Sequence, residues 1–336
     1  MRFVSLILLI LWPAFATAQT DAHQRLVDLV EGHVLPGYAQ LVEKTEALVE
    51  TAEAQCAPTD PELRAAFGEA WDAWILVSHL RFGPSEVDNR AFKMGYWPDK
   101  RGKVLQALRR LTTAEIPVVE DPAAFAEYSI AAHGFTALEF LLYEPSLTVD
   151  TPYGCALIQV IAGDIAANAA AIYGDWAGEY GADFVSNGPL SAYRTEAEAV
   201  SVLYSAITTG LEFSTAARLA QPMGSFEKPR PLRAEARRSG RSWRHVKLSL
   251  EATEDLALLM AAGHPDVQAA MTAAFDRAET QGEELDDPVF AMVESPIGRL
   301  KVEILQQDVQ AAADAVRLHL GGLLGVAEGF NALDGD

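Results

Sequence analysis

Positive charge is scarce in this sequence of 336 residues: 26 lysines and arginines stand against 47 aspartates and glutamates, a formal net charge of −21. That balance argues against nucleic acid and anionic membrane surfaces as partners. It is compatible with attraction of cations and equally with plain solubility. β-Branched residues are thin and alternating apolar runs are absent, while alanine and leucine abound. The chain is therefore expected to be all-α. Past the N-terminus no apolar run reads as long enough to cross a membrane, so no transmembrane anchor is expected. Only two cysteines occur, Cys56 and Cys155. In an oxidising compartment such a pair points to a disulfide. It would close a loop of about a hundred residues and contribute about 4–5 kcal/mol. Two separate buried thiols are the other reading.

What is present is apolar substance: half of the chain is hydrophobic, enough for one large or two medium domains. Residues 1–18 read as a secretory signal. Arg2 opens it, Phe3 to Trp12 form its apolar segment, and Ala16-Thr17-Ala18 precede a cleavage site before Gln19. That segment is too short to span a membrane. No cysteine follows the cleavage site to carry a lipid. The mature chain is expected in the periplasm or cell envelope.

Helical spacing of apolar residues predicts one long helix over Asp21–Gln55, kinked at Pro36-Gly37. A turn at Pro58–Pro61, with Thr59 or Asp60 as cap, opens a second helix that runs to about Leu80. Trp71 and Trp74 are placed in its core, and His79 reads as a structural histidine. The aromatic-rich loop from Arg81 to Asp99 is expected to fold back onto the protein. Further helices are predicted over 102–111, from Asp121 to about Tyr143, and over 153–180, 195–219, 232–262, 264–281 and 297–326. The turn SNGPLS, Ser186 to Ser191, divides residues 19–187 from 188–336. Each part holds about four helices, enough for one bundle.

Two stretches carry chemistry. Ala131 to Glu144, AAHGFTALEFLLYE, reads as half of a buried helix with Glu139 among its apolar residues. A carboxylate there needs a partner. The other stretch, Lys228 to Lys247, concentrates Arg230, Arg233, Arg237, Arg238, Arg241 and Arg244. On a helix Arg233, Arg237 and Arg241 would stack one turn apart. A solvated basic face is one reading of this run. The other sends arginines to a site between the halves, pairing with Glu139 or clamping an anion. Glu139 itself is either half of a buried structural ion pair or a binding residue. Glu212 is a less certain companion, and Asp99 reads as a turn cap.

Four places resemble the imelysin-like family. Gly134 to Tyr143 is similar to that family's G-x-H-x-x-E helix. Phe82-Gly83-Pro84 followed by WPDKRG (Trp97, Pro98, Asp99 and onward to Gly102) resembles its first-bundle loop. RPLRAEARRSGRSW, Arg230 to Trp243, resembles its arginine-serine stretch, and GFNALDGD, Gly329 to Asp336, its ending. Cysteines near positions 56 and 155 also recur in such proteins. The resemblance implies two packed helical bundles with the motif helix at their interface, an envelope location, and a link to iron uptake. It also implies envelope iron-uptake proteins as partners and a metal ion, iron or another divalent cation, as cofactor. The family's name comes from a peptidase. Related periplasmic components of ferrous-iron uptake hold a metal with an H-x-x-E pair.

This chain departs from the pattern, because Thr136 stands where the family has histidine. Residues at i and i+3 share a helix face, so a histidine and a glutamate at that spacing converge on one ion. Thr136 with Glu139 makes a poor transition-metal site. On a continuous helix His133 would lie about 120° away from Glu139. The zinc-peptidase signature H-E-x-x-H is absent. The expectation is a non-enzymatic binding protein whose ligand-binding residues are Gly134, Thr136, Glu139, Arg237, Arg238, Ser239 and Arg241. Glu139 is the one metal ligand considered, and Cys56 with Cys155 the disulfide. A metallopeptidase of the imelysin type and an envelope interaction protein with a vestigial cleft are the alternatives.

Overall fold

The computed structural model describes residues 23–147, 149–188 and 191–326, and among the described residues no strand forms. The leader read at 1–18 and the ending GFNALDGD lie outside them.

The first helix is continuous from residue 23, passes through a wide π-turn at Val30–Val34, and becomes α1, Leu35–Ala54. The Leu35 N–H reaches back to the Val30 carbonyl, five residues away. Pro36 follows at once, and the π-turn absorbs the hydrogen bond that a proline cannot make. The helix α2, Pro61–Val77, begins where Asp60 accepts from the N–H groups of Glu62 and Leu63, both at 2.9 Å. Phe82 leaves the loop after α2 and packs on Trp176 and Phe184, with ring centres 5.7 and 6.0 Å away. The helix α3, Lys103–Ala114, starts on Asp99, whose two oxygens accept from the N–H groups of Lys103 (2.8 Å) and Val104 (2.9 Å).

The helix expected from Asp121 to Tyr143 is in fact three pieces: Pro122–Ala126, a 3-10 turn at Ile130–Ala132, and α4, Gly134–Tyr143. Backbone geometry explains the break. His133 is extended and Gly134 has φ +72°. A Cβ on Gly134 would lie 2.1 Å from the Lys93 carbonyl oxygen and 2.4 Å from that of Met94. The chain comes in where a side chain would stand, and only glycine admits it.

Next come α5, Pro152–Ala177, and α6, Glu179–Ser186. Cys56 and Cys155 form a disulfide that ties the chain after α1 to the first turn of α5. Contrary to the expectation that no long apolar run follows the leader, α5 is long and apolar enough to cross a membrane, with mean hydropathy 1.7. Its Leu157, Ile158, Ile161, Ile165 and Ile172 are buried in the protein's own core.

Thr195 caps α7, Glu196–Phe213, which runs on through a π-turn at Ser214–Leu219. The helix expected over 232–262 begins only at Ser242. Residues 231–233 form a 3-10 turn, 234–241 are irregular, and α8 spans Ser242–Met260. Left-handed backbone at Ala236 (φ +50°) and Gly240 (φ +73°) breaks the helical path. The last two long helices are α9, Pro265–Glu283, and α10, Pro296–Ala315.

The helices α1, α2, α4 and α5 pack together, as do α7, α8, α9 and α10, and the two groups meet where α2 lies on α8. Their buried apolar side chains form one continuous core. The irregular 234–241 segment lies beside this junction and faces α4.

Candidate functional site

Nine consecutive residues of α4, Gly134 to Leu142, are buried, and Glu139 is the charged one among them, 2 % exposed. Its partner comes from the far part of the chain. Oε1 accepts from the Ser239 N–H at 2.9 Å and from the Ser239 hydroxyl at 2.8 Å. Burial pushes the Glu139 carboxyl above its ordinary range, and the Ser239 bonds and the charges of Arg238 and Arg237 pull it back in part. No arginine touches this carboxylate among the described residues, so the expected Arg–Glu139 contact is replaced by a serine. Arg238 instead donates from Nε to Glu144 at 2.9 Å, and its guanidinium lies 3.5 Å over the Phe140 ring. Both Ser239 bonds fall on Oε1, and no protein group reaches Oε2 among the described residues.

Thr136, one turn before Glu139, is 5 % exposed, and its hydroxyl has no partner among the described residues. Thr136 and Glu139 both line a cavity of about 190 Å³. Its other walls are Trp97, Pro98 and Asp99 from the loop before α3, and Arg233 and Arg238 from the arginine stretch, with Lys100 alongside. Asp99 spends both carboxylate oxygens on the start of α3.

The other candidate residues lie elsewhere. Gly134 makes room for the Lys93 and Met94 carbonyls and holds nothing. Arg237 donates to the Leu232 carbonyl at 3.1 Å. Arg241 donates to the Gly68 carbonyl at 2.9 Å and pairs with Asp72, which also receives Arg244 Nε at 2.7 Å. The expected stack of Arg233, Arg237 and Arg241 is therefore absent, because that segment is not helical and sends the three in different directions. Phe82, Gly83 and Pro84 are absent from the cavity wall; Tyr180 lies against Gly83, 2.1 Å from where a Cβ would stand. His133 does not share a helix face with Glu139 at any angle. It precedes α4 in extended backbone, and its Nδ1 donates to Asp164 at 2.9 Å.

Sequence reasoning missed a second polar centre. Arg218 and Glu235, 4 % and 8 % exposed, pair at 2.8 Å, and His245 Nδ1 lies 3.2 Å from the same Glu235 oxygen. Burial alone would raise the Glu235 carboxyl, but the Arg218 charge and the His245 bond outweigh it and hold it down to about 2. Burial pushes the His245 imidazole below its ordinary value despite Glu235. A lone arginine in the apolar run TAARLA was the available signal.

A metal held by α4 would need two ligating side chains on one face. Thr136 and Glu139 are what α4 offers, and among the described residues no group of three or more His, Cys, Asp or Glu side chains is placed to hold an ion. The residues do not fit a resident transition metal.

The sequence profile described as Imelysin (Peptidase_M75) matches residues 34–316. An imelysin-like protein from Psychrobacter arcticum 273-4 superposes with a TM-score of 0.76 at 17 % identity, over 93 % of this chain and 98 % of the other. A candidate iron-regulated protein A precursor from Parabacteroides distasonis ATCC 8503 superposes with a TM-score of 0.70 at 14 % identity, over 89 % and 95 %. No curated protein matches. The two structures share the all-α fold. The profile runs from the π-turn before α1 past the end of α10, through α4 and the arginine stretch, and on that match the chain belongs to the imelysin family.

Proposed function

We propose that this is an exported envelope protein that binds a small ligand without chemical conversion, in the cavity beside α4. In this reading residues 19–187 and 188–336 act as two bundles, and the cavity lies where the arginine stretch of the second closes over α4 of the first. The observation that carries it is Glu139: a buried carboxylate with one oxygen held by Ser239 and the other unspent beside the cavity. A carboxylate kept there at a cost in desolvation, next to the unpartnered Thr136 hydroxyl, serves an occupant better than it serves the core.

The cavity's charges select the occupant. Among the described residues Lys100 and Arg233 make no ion pair, whereas Arg238 is held by Glu144 and both Asp99 oxygens by the start of α3. A small anion that also carries a hydroxyl or N–H group, or a metal-containing species with such groups on its surface, satisfies the cations and supplies the donor that Glu139 accepts. A link to iron uptake draws support from the Parabacteroides distasonis protein's description as iron-regulated.

Calorimetric titration of the purified protein with iron, zinc and calcium salts, citrate and anionic glycans tests the reading. Wild type is expected to bind at least one of them, and Glu139→Ala to bind it at least tenfold more weakly. Identical behaviour of the two proteins with every ligand overturns it. The metallopeptidase alternative rests on the family's name. Cleavage of casein that a chelator abolishes would replace the binding reading with it.

A further inference from the structure

A second, larger cavity of about 660 Å³ shares Trp97, Pro98, Lys100 and Gln221 with the first. Its size falls in the range of small-molecule sites. Trp71, Trp74, Trp97 and Phe213 give it an aromatic lining, of which Arg218 and His79 are polar members.

Arg218 is tightly held yet has donors left. Nε donates to Glu235 at 2.8 Å and Nη1 to the Ser249 hydroxyl at 2.9 Å. No protein group takes the N–H donors of Nη2 among the described residues. The guanidinium also lies 4.9 Å from the Phe213 ring centre, which fixes its plane. A buried arginine with a free edge is a preorganised receptor for a carboxylate.

His79, 3 % exposed, ends a chain of polar contacts that begins at the surface. Asp255 lies 2.7 Å from His33 Nδ1, and His33 Nε2 lies 3.1 Å from His79 Nε2. His79 Nδ1 is buried and has no partner among the described residues. With His33 neutral, its Nδ1–H donates to Asp255 and its Nε2 accepts from His79, which leaves His79 Nδ1 as an acceptor. Either way the nitrogen needs a hydrogen-bonding group, and a hydroxyl supplies one.

Aromatic walls also suit cations. Formal charge does not separate an anionic from a cationic occupant: Glu235 is paired with Arg218 and Arg81 with Glu86, which leaves Lys100 facing Glu212. The open N–H donors of Arg218 Nη2, which a carboxylate accepts and an ammonium group cannot, favour the anion.

We propose that this cavity binds an aromatic hydroxy-acid, its carboxylate on Arg218 Nη2, its ring against Trp71, Trp74 and Trp97, and its hydroxyl on His79 Nδ1. The probes are 4-hydroxyphenylacetate, phenylacetate, which lacks the hydroxyl, and tyramine, which carries an amine in place of the carboxylate. Calorimetry and tryptophan fluorescence of the full chain read the binding. The acid with the hydroxyl is expected to bind tightest, phenylacetate about tenfold more weakly, and tyramine not measurably. Arg218→Lys keeps the charge and removes the fork, and is expected to weaken binding at least tenfold. Since Arg218 is part of a buried network, Ala216→Trp serves as a second variant: position 216 is exposed on the cavity's rim and its indole would fill the space. It is expected to abolish binding while the thermal transition is retained. No binding of 4-hydroxyphenylacetate to wild type, equal binding of tyramine, equal binding of phenylacetate, or binding that survives Ala216→Trp would overturn the proposal. So would binding that is lost in Glu139→Ala and kept in Arg218→Lys, which places the acid in the smaller cavity.

Discussion

Gly134 decides where the motif helix begins, and so which residues face the cavity. A side chain at that position meets two carbonyl oxygens and a backbone angle that L residues avoid. Gly134→Ala is expected to cost about 3 kcal/mol or more, read from urea denaturation. A loss under about 1 kcal/mol would mean that the chain at Lys93 and Met94 moves aside freely. At this scale the sequence was partly legible. Glu139 stood out as a charge in an apolar helix, and Thr136 as its neighbour one turn away. Ser239 did not stand out, because its bond joins residues 100 apart and leaves no local pattern. His133 is hidden for a related reason: apolar spacing implies a helix that continues through it, and Gly134 breaks that helix.

At the scale of elements, helix starts carried clear signals. Asp60, Asp121 and Thr195 each cap the helix that their sequence position suggests. The interruptions did not. Apolar spacing runs on across Ile130 to Gly134 and across 234–241, so periodicity alone joins what contacts with distant carbonyls and carboxylates separate. The arginine loop is tied to α2 through Asp72, which holds both Arg241 and Arg244, and this anchors Ser239 over Glu139. Asp72→Ala is expected to loosen the loop while the helices persist. Hydrogen exchange should show residues 236–241 exchanging at least tenfold faster, with α5 unchanged. Unchanged protection of the loop would assign its order to Glu139 and Glu144 alone.

The whole molecule is one core closed by a covalent tie and a set of buried polar groups. The disulfide was legible from two cysteines and an expected compartment. It closes a loop across a sequence separation of 99, and the double variant Cys56→Ser, Cys155→Ser is expected to lose about 4–5 kcal/mol of stability in denaturant titration. Acid acts through the second polar centre. Glu235 sits at about 2 instead of near 4.5, so the unfolded chain takes up a proton first and stability falls as pH drops through that window. His245 and His79 are held below their ordinary 6.5 by burial, so their loss begins below about 6.5. Glu139 has the opposite sign: its raised carboxyl favours the fold below 4.5, and that help fades as pH rises through its folded value. Three fully buried groups against one predict a melting temperature that falls steadily from about pH 7 to pH 4. A flat or rising curve would contradict the assignment of buried neutral histidines and a buried paired Glu235.

If the Glu139 cavity holds a ligand, the chain takes it up where it works. Native mass spectrometry of wild type and Glu139→Ala, each purified from the cells that make the protein, reads that ligand as added mass. Wild type is predicted to carry a discrete small-molecule mass that Glu139→Ala lacks. Two proteins that both appear at the bare mass of the chain, or that carry the same adduct, would contradict it.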